Sequence, residues 1–266
     1  MPNWTLFGLS VGTATTRWPG ADADAGQDGV LGMPRYAPDK CDSGCRECVA
    51  VCVTNALSLQ EGEPVRLNLD YGRCIACQLC VEACPTGALT ESGDWAFAVR
   101  NRDDLQWKEV LNSPEAKQLR NAVDRSFRGS LHIRHVDAGS CNGCESELQA
   151  LNNPFYNLHR LGIFFTASPR FADVLLVTGS VTYAMREPLL TTYEAMAEPK
   201  WVLAAGTCAV SGGAAAGGYS SGHGLDGVLP VDIWLPGCPP NPAALIHALL
   251  VLLDRAPQHV KGGQHG

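Results

Sequence analysis

Twelve cysteines in 266 residues constrain this chain more than any other feature, because of how they are spaced. Eight fall in two compact runs, CDSGCRECVAVC (Cys41, Cys45, Cys48, Cys52) and CIACQLCVEACP (Cys74, Cys77, Cys80, Cys84). Four more stand apart, at Cys141, Cys144, Cys208 and Cys238. A chain this long is no small disulfide scaffold, and cytosolic thiols are kept reduced, so metal or cluster ligation outranks disulfides. Zinc knuckles are the competing reading of the two runs. Zinc sites use paired ligands separated by a longer finger, and a triplet followed by a single cysteine does not match that pattern.

Composition narrows the rest. A hydrophobic content of 45% can build a real core, and a net charge of −7 argues against a nucleic-acid partner. The longest apolar run, AALIHALLVLL, falls short of the roughly 18 residues that span a bilayer. MPNWTLFGLSVG has neither a basic n-region nor a twin-arginine pair, so the expectation is no export signal and a cytoplasmic protein.

Four regions are expected. Residues 1–40, rich in Gly, Pro, Thr and Asp with an apolar patch at Trp4, Leu6, Phe7, Leu9 and Val11, form an irregular arm. It either lies on its own domain or docks a partner subunit. Residues 41–90 are the cysteine-dense module. Residues 91–130, with apolar positions at Leu105, Val110, Leu111, Leu119 and Val123 interrupted by Pro114, read as a two-helix connector. From 131 to 266 the pattern is α/β. LHIRHVDAG, LGIFFTAS, ADVLLVTG, KWVLAAG and VDIWLPG suit strands of a buried parallel sheet; ESELQALNN, REPLLTTYEAMAE and PNPAALIHALLVLLDRA suit helices, the last starting near Pro242. Loops after the strand ends of such a sheet gather on one edge. Cys141, Cys144, Cys208 and Cys238 all fall in those loops. Alone, CNGC could also be a thioredoxin-like redox pair.

The second run matches C-x2-C-x2-C-x3-C-P and resembles two-cluster bacterial ferredoxins, in which three cysteines hold one [4Fe-4S] cluster and the fourth ligates the other. The first run departs in its first gap of three residues and in Val53 where proline is expected. NALSLQ, EGEP and VRLNLD between the runs suit a hairpin. The resemblance implies crossed pairing: Cys41, Cys45, Cys48 and Cys84 for one cluster, Cys52, Cys74, Cys77 and Cys80 for the other.

Residues 131–255 resemble the small subunit of [NiFe] hydrogenases and the homologous cluster subunit of respiratory complex I. The motifs are RHVDAGSCNGCESE, VTGSVTYAMREPLLTTYEAM, PKWVLAAGTCAVSGG and LPGCPPNPAALI. The resemblance implies an α/β flavodoxin-like parallel sheet domain, here preceded by an α+β two-cluster ferredoxin-like domain. It also implies a third [4Fe-4S] cluster on Cys141, Cys144, Cys208 and Cys238. Complex I subunits have adjacent cysteines where CNGC separates them by two residues, so the chain is similar to complex-I-related, membrane-associated hydrogenases of the formate hydrogenlyase type. TTRWPG and GVLGMPRYAPDKC likewise resemble the separate ferredoxin-type subunit of that branch.

The implied role is a relay through three [4Fe-4S] clusters to a [NiFe] site on a partner large subunit. Membrane-arm subunits and an electron donor or acceptor protein would complete a complex on the cytoplasmic face of the inner membrane. Two alternatives remain open: a complex-I-like or nickel-free complex acting on quinone or another acceptor, and an iron-sulfur redox sensor. Glu145 and Glu147 are candidates for a proton relay, or for capping a helix or pairing with Arg134. Arg134, His135 and Asp137 could donate hydrogen bonds or pair structurally, and Arg186 and Glu187 could tie their helix to the partner or the core. GTCAVSGGAAAGGYSSGHG lacks the Gly-Lys-Ser/Thr ending of a phosphate loop, and its glycines suit close approach of backbone to a cluster.

Overall fold

Five short β-rich runs in the second half become one parallel sheet. The computed structural model describes residues 3–11, 30–42, 44–60, 66–107 and 130–265. Its strands are, in chain order, β1 (Arg35–Tyr36), β2 (Leu57–Gln60), β3 (Arg66–Leu69), β4 (Leu89–Thr90), β5 (Leu131–Asp137), β6 (Ile163–Phe165), β7 (Val174–Thr178), β8 (Trp201–Ala205), β9 (Ile233–Leu235), β10 (Val260–Lys261) and β11 (Gln264–His265). The five-stranded sheet runs β6-β5-β7-β8-β9 and all its pairings are parallel. That is the flavodoxin-like order, with a topological switch between β5 and β7. β7, β8 and β9 are buried at every position, which explains why they read as continuous apolar runs rather than alternating ones.

Successive side chains of a strand point to opposite faces, and the core divides accordingly. Val174, Leu176, Trp201, Leu203, Ile233 and Leu235 pack with the helices Gly143–Ala150 and Pro242–Leu252. The second helix is buried along its whole length, with Pro242 in its first turn and the Asn241 carboxamide accepting from the Ala244 N–H at 2.8 Å. It is the longest apolar run of the sequence used as a core helix; no helix among the described residues is long and apolar enough to cross a membrane.

The opposite face carries Leu175, Val177, Val202, Ala204 and Trp234, and these belong to the same core as Leu57, Leu69, Tyr71, Cys74 and Leu105 of the N-terminal half. That half is built on the antiparallel pairs β2–β3 and β1–β4, with short helices Glu47–Val51 and Leu79–Glu82 over them. The predicted hairpin therefore forms, while its EGEP turn lies outside the described residues. The two halves are also joined through backbone: Val99 and Trp234 exchange hydrogen bonds of 3.0 and 2.8 Å.

Three local expectations change. The arm is helical at Asn3–Val11, with Leu6, Phe7 and Leu9 exposed, and its last residues bury Met33 and form β1; TTRWPG lies outside the described residues. DDLQW does not open a long helix. Arg102–Leu105 makes one 3-10 turn, after which the Trp107 N–H donates to Leu69 O at 2.8 Å, drawing the chain onto β3; the connector beyond Trp107 lies outside the described residues. The helix expected from REPLLTTYEAMAE starts earlier, at Tyr183, and carries Pro188 in its interior. Proline cannot donate to the carbonyl one turn back, and the helix continues past it to Glu194 without that bond.

Candidate iron-sulfur sites

Cavities in the N-terminal half bring cysteines of the two runs together. One is lined by Cys41, Cys45, Cys48 and Cys84 with Leu59, Leu67 and Leu89. The other is lined by Cys52, Cys74, Cys77 and Cys80 with Ala56, Leu57 and Leu69. Each run thus sends its fourth cysteine to the other's triplet. The cause is local: Cys48 lies on helix Glu47–Val51 and Cys80 on helix Leu79–Glu82, and each helix ends one or two residues before the fourth cysteine, turning Cys52 and Cys84 away. Val53, where the ferredoxin pattern has proline, is 63% exposed beside the second cavity, so the substitution displaces nothing in the core.

All twelve cysteines are free thiols. Burial pushes Cys48 up to about 11, with charge on Cys41, Cys45 and Cys84 adding to it. Burial likewise pushes Cys74 up to about 12 against the Ala76 N–H, whose hydrogen bond lowers it, and Cys80 to about 11, where Cys52 and Cys77 add. Cys84 goes the other way: hydrogen bonds from Leu89, Thr86 and Ala88 outweigh the upward push of burial. Thiolates crowded in apolar surroundings ionise together only around positive charge, which an iron cluster supplies. Backbone N–H groups of Ala56 and Ala76 point at Cys52 Sγ (3.2 Å) and Cys74 Sγ (3.4 Å), the outer-shell bonds that stabilise cluster thiolates. Among the described residues no three His, Cys, Asp or Glu side chains gather as one metal ion requires. The cysteines instead surround a space, which suits a polynuclear cluster taking one thiolate at each iron.

The remaining four cysteines meet at the carboxyl edge of the parallel sheet. Cys141 and Cys144 follow β5, Cys208 follows β8 in helix Thr207–Ser211, and Cys238 follows β9. Burial pushes Cys144 up to about 12, and it feels Glu145, Cys208, Cys238 and Cys141; burial also raises Cys208, which feels Cys238 and Cys141. CNGC does open a helix after a strand, yet its surroundings are two further thiols. Cys141 and Cys238 are exposed, so this group faces outward. The glycine-rich turn brings backbone close to it: a Cβ on Gly206 would sit 2.7 Å from Cys144 Sγ, and one on Gly213 would sit 3.0 Å from Cys208 Sγ.

The polar residues nearby divide. Glu145 accepts from the Ser140 hydroxyl at 2.7 Å and from the Thr178 hydroxyl, with His135 Nε2 3.7 Å from its carboxylate. Arg134 is not its partner, and Arg134 Nε is buried without a hydrogen bond. Glu147 is half-buried and its carboxyl is raised by burial. Asp137 accepts from the N–H groups of Gly139 (2.9 Å) and Ser140 (2.8 Å), shaping the turn that delivers Cys141. Arg186 and Glu187 are exposed on their helix rather than tied to the core. Ser140, Thr178 and Thr207 were not legible as site residues; adjacency to a cysteine is the only sequence signal for Ser140 and Thr207, and Thr178 carries none.

Comparison with known proteins covers both halves. Residues 40–88 match the 4Fe-4S dicluster domain, and residues 141–252 match the NADH ubiquinone oxidoreductase 20 kDa subunit. A probable membrane-bound hydrogenase subunit of Pyrococcus furiosus is 38% identical over 156 residues, 58% of this chain and 93% of that protein. Formate hydrogenlyase subunit 7 of Escherichia coli is 40% identical over 146 residues, 54% of this chain and 57% of that protein. An uncharacterised protein of Methanocaldococcus jannaschii is 46% identical over 127 residues, 48% of this chain and 85% of that protein. The chain thus belongs to the NADH ubiquinone oxidoreductase 20 kDa subunit family and carries a 4Fe-4S dicluster domain ahead of the family's own fold.

Proposed function

We propose that the chain is the electron-relay subunit of a hydrogenase-like complex, carrying electrons through three [4Fe-4S] clusters to or from a [NiFe] site on a partner large subunit. Cys41, Cys45, Cys48 and Cys84 hold the first cluster; Cys52, Cys74, Cys77 and Cys80 the second; Cys141, Cys144, Cys208 and Cys238 the third. The observation that supports this most is the grouping itself: twelve thiols fall into three separate fours, two around apolar cavities and one at an exposed sheet edge. Each cluster would supply reversible one-electron storage, at a potential set by its hydrogen bonds and burial. The protein supplies thiolates, N–H donors and apolar walls to the first two sites. At the third, the exposed Cys141 and Cys238 would face a large subunit, and Glu145 and Glu147 are the carboxylates that would carry protons there. Glu145 is anchored by its two hydroxyl donors, and burial raises the carboxyl of Glu147.

The hydrogenase branch rests on the two-residue gap in CNGC and on relatives named as hydrogenase and hydrogenlyase subunits. In the cell the complex would lie on the cytoplasmic face of the inner membrane, held there by membrane-arm subunits. Iron and acid-labile sulfide analysis after anaerobic purification tests the relay: about twelve of each per chain are expected, four to each cluster. Four irons, or zinc in their place, would sink it. Co-purification tests the branch, because a large subunit with two CxxC pairs binds nickel, one without them points to quinone chemistry, and a stable solitary chain points to a sensor.

A further inference from the structure

The two halves touch at a buried hydroxyl between the second and third thiol sets. Thr207 is 1% exposed and opens the helix Thr207–Ser211. Its hydroxyl does not cap that helix, because the cap position belongs to Gly206. It donates instead to the backbone carbonyl of Cys74 at 2.8 Å and accepts from the Gly237 N–H at 3.0 Å. The Thr207 N–H donates in turn to Gly237 O at 2.9 Å. Thr207 is thus bonded to a residue of the second set and to the neighbour of Cys238, while its own neighbour is Cys208. Around it the helix packs on the turn Tyr71–Arg73, where a Cβ on Gly72 would lie 3.2 Å from Val210.

We propose that Thr207 is the bridge by which an electron passes between the second and third sets. The inference rests on the relay reading above and adds the residue that joins two of its stations. Tunnelling falls off more slowly along covalent and hydrogen-bonded links than across a van der Waals gap. The path Cys74 carbonyl, Thr207 hydroxyl, Thr207 backbone, Cys208 holds one hydrogen bond, and a branch through Gly237 to Cys238 holds two. With clusters bound, the one on Cys74 would exchange one electron with the one on Cys208 and Cys238, in whichever direction their potentials set. No bond is made or broken, and the hydroxyl proton stays on Thr207. Burial keeps water from competing for either hydrogen bond.

The test compares full-length wild type with Thr207→Val, Thr207→Ser and Thr207→Ala, all loaded anaerobically. Iron content and the EPR signals of the reduced clusters are measured first. A wild-type chain lacking a cluster at the second or third set overturns the relay reading, and this proposal with it, before any variant is compared. With clusters intact, redistribution of an electron after laser-flash reduction is followed by transient absorption. Severalfold slower redistribution is expected in Thr207→Val, with EPR signals and iron content unchanged and the rate restored in Thr207→Ser. A wild-type rate in Thr207→Val overturns the proposal. If Thr207→Val loses iron, Thr207→Ser and Thr207→Ala decide, since their side chains differ by the hydroxyl alone: equal rates overturn the proposal.

Discussion

Gly206 and Cys144 stand so close that any side chain on the glycine would meet the sulfur, its Cβ falling 2.7 Å from Sγ at a backbone φ of +93°. Alanine there would be forced into a positive-φ, extended-ψ region essentially reserved for glycine, at a cost of about 1–3 kcal/mol, and would push Cys144 off its position. If the chain carries the three clusters proposed, Gly206→Ala is expected to lose the third alone, about four of roughly twelve irons, and to keep the other two. Iron analysis with EPR of the remaining clusters checks this.

Crossed cavities make opposite predictions for the two fourth cysteines. Cys84→Ser should remove or alter the cluster proposed for Cys41, Cys45 and Cys48, and Cys52→Ser the one proposed for Cys74, Cys77 and Cys80. Pairing each variant with a triplet variant separates the sites: Cys84→Ser with Cys45→Ser should cost no more iron than either alone. Additive iron loss in that pair would mean uncrossed ligation.

Leu105 is fully buried in the core that joins the sheet to the cysteine-rich half. Leu105→Ala should destabilise the protein by about 2–5 kcal/mol, the usual cost of a core cavity. Because that core is shared, bleaching of cluster absorbance and loss of sheet circular dichroism should move to lower temperature together. A shift in only one of the two signals would show that the halves unfold separately.

His135 contributes a pH dependence of known sign. Burial lowers its pKa from 6.5, outweighing the upward pull of Glu145 and Asp137, with Arg134 also lowering it. Below 6.5 the unfolded chain therefore binds more protons at this residue than the folded one, so its contribution to stability is present above 6.5 and lost as pH falls through the folded value. His135→Asn should flatten the stability profile just below pH 6.5, measured by denaturant melts of anaerobic protein. An unchanged profile would mean that the Thr178 bond at 2.9 Å holds a charged imidazole as readily as a neutral one.

Chain-local features and the grouping of the cysteines were legible, and the hydrogen-bonded contacts between the two halves were not. Spacing alone marks the eight clustered cysteines, and the apolar runs of β5 to β9 mark the sheet, because a strand buried on both faces has little choice of residue. That Cys84 stands with Cys41 was expected from the ferredoxin resemblance, and the structure adds its local cause, the early end of a four-residue helix. The early start of the helix at Tyr183 was hidden by Pro188, whose ordinary meaning is a boundary. DDLQW was misread as helical because its apolar spacing records burial of Leu105, while the backbone of Trp107 pairs with Leu69. Thr207 is unremarkable in GTC until Cys74, far away in sequence, is seen at its hydroxyl.

The core common to Leu175, Val177, Val202 and the cysteine-rich half has one more consequence. Two proteins that exchange electrons by collision depend on their concentrations and on the salt that screens their encounter. Residues packed in a single core are never apart, so the spacing between the second and third thiol sets is a property of folding rather than of association. Dilution and ionic strength, which govern a soluble ferredoxin meeting its partner, have no hold on this junction.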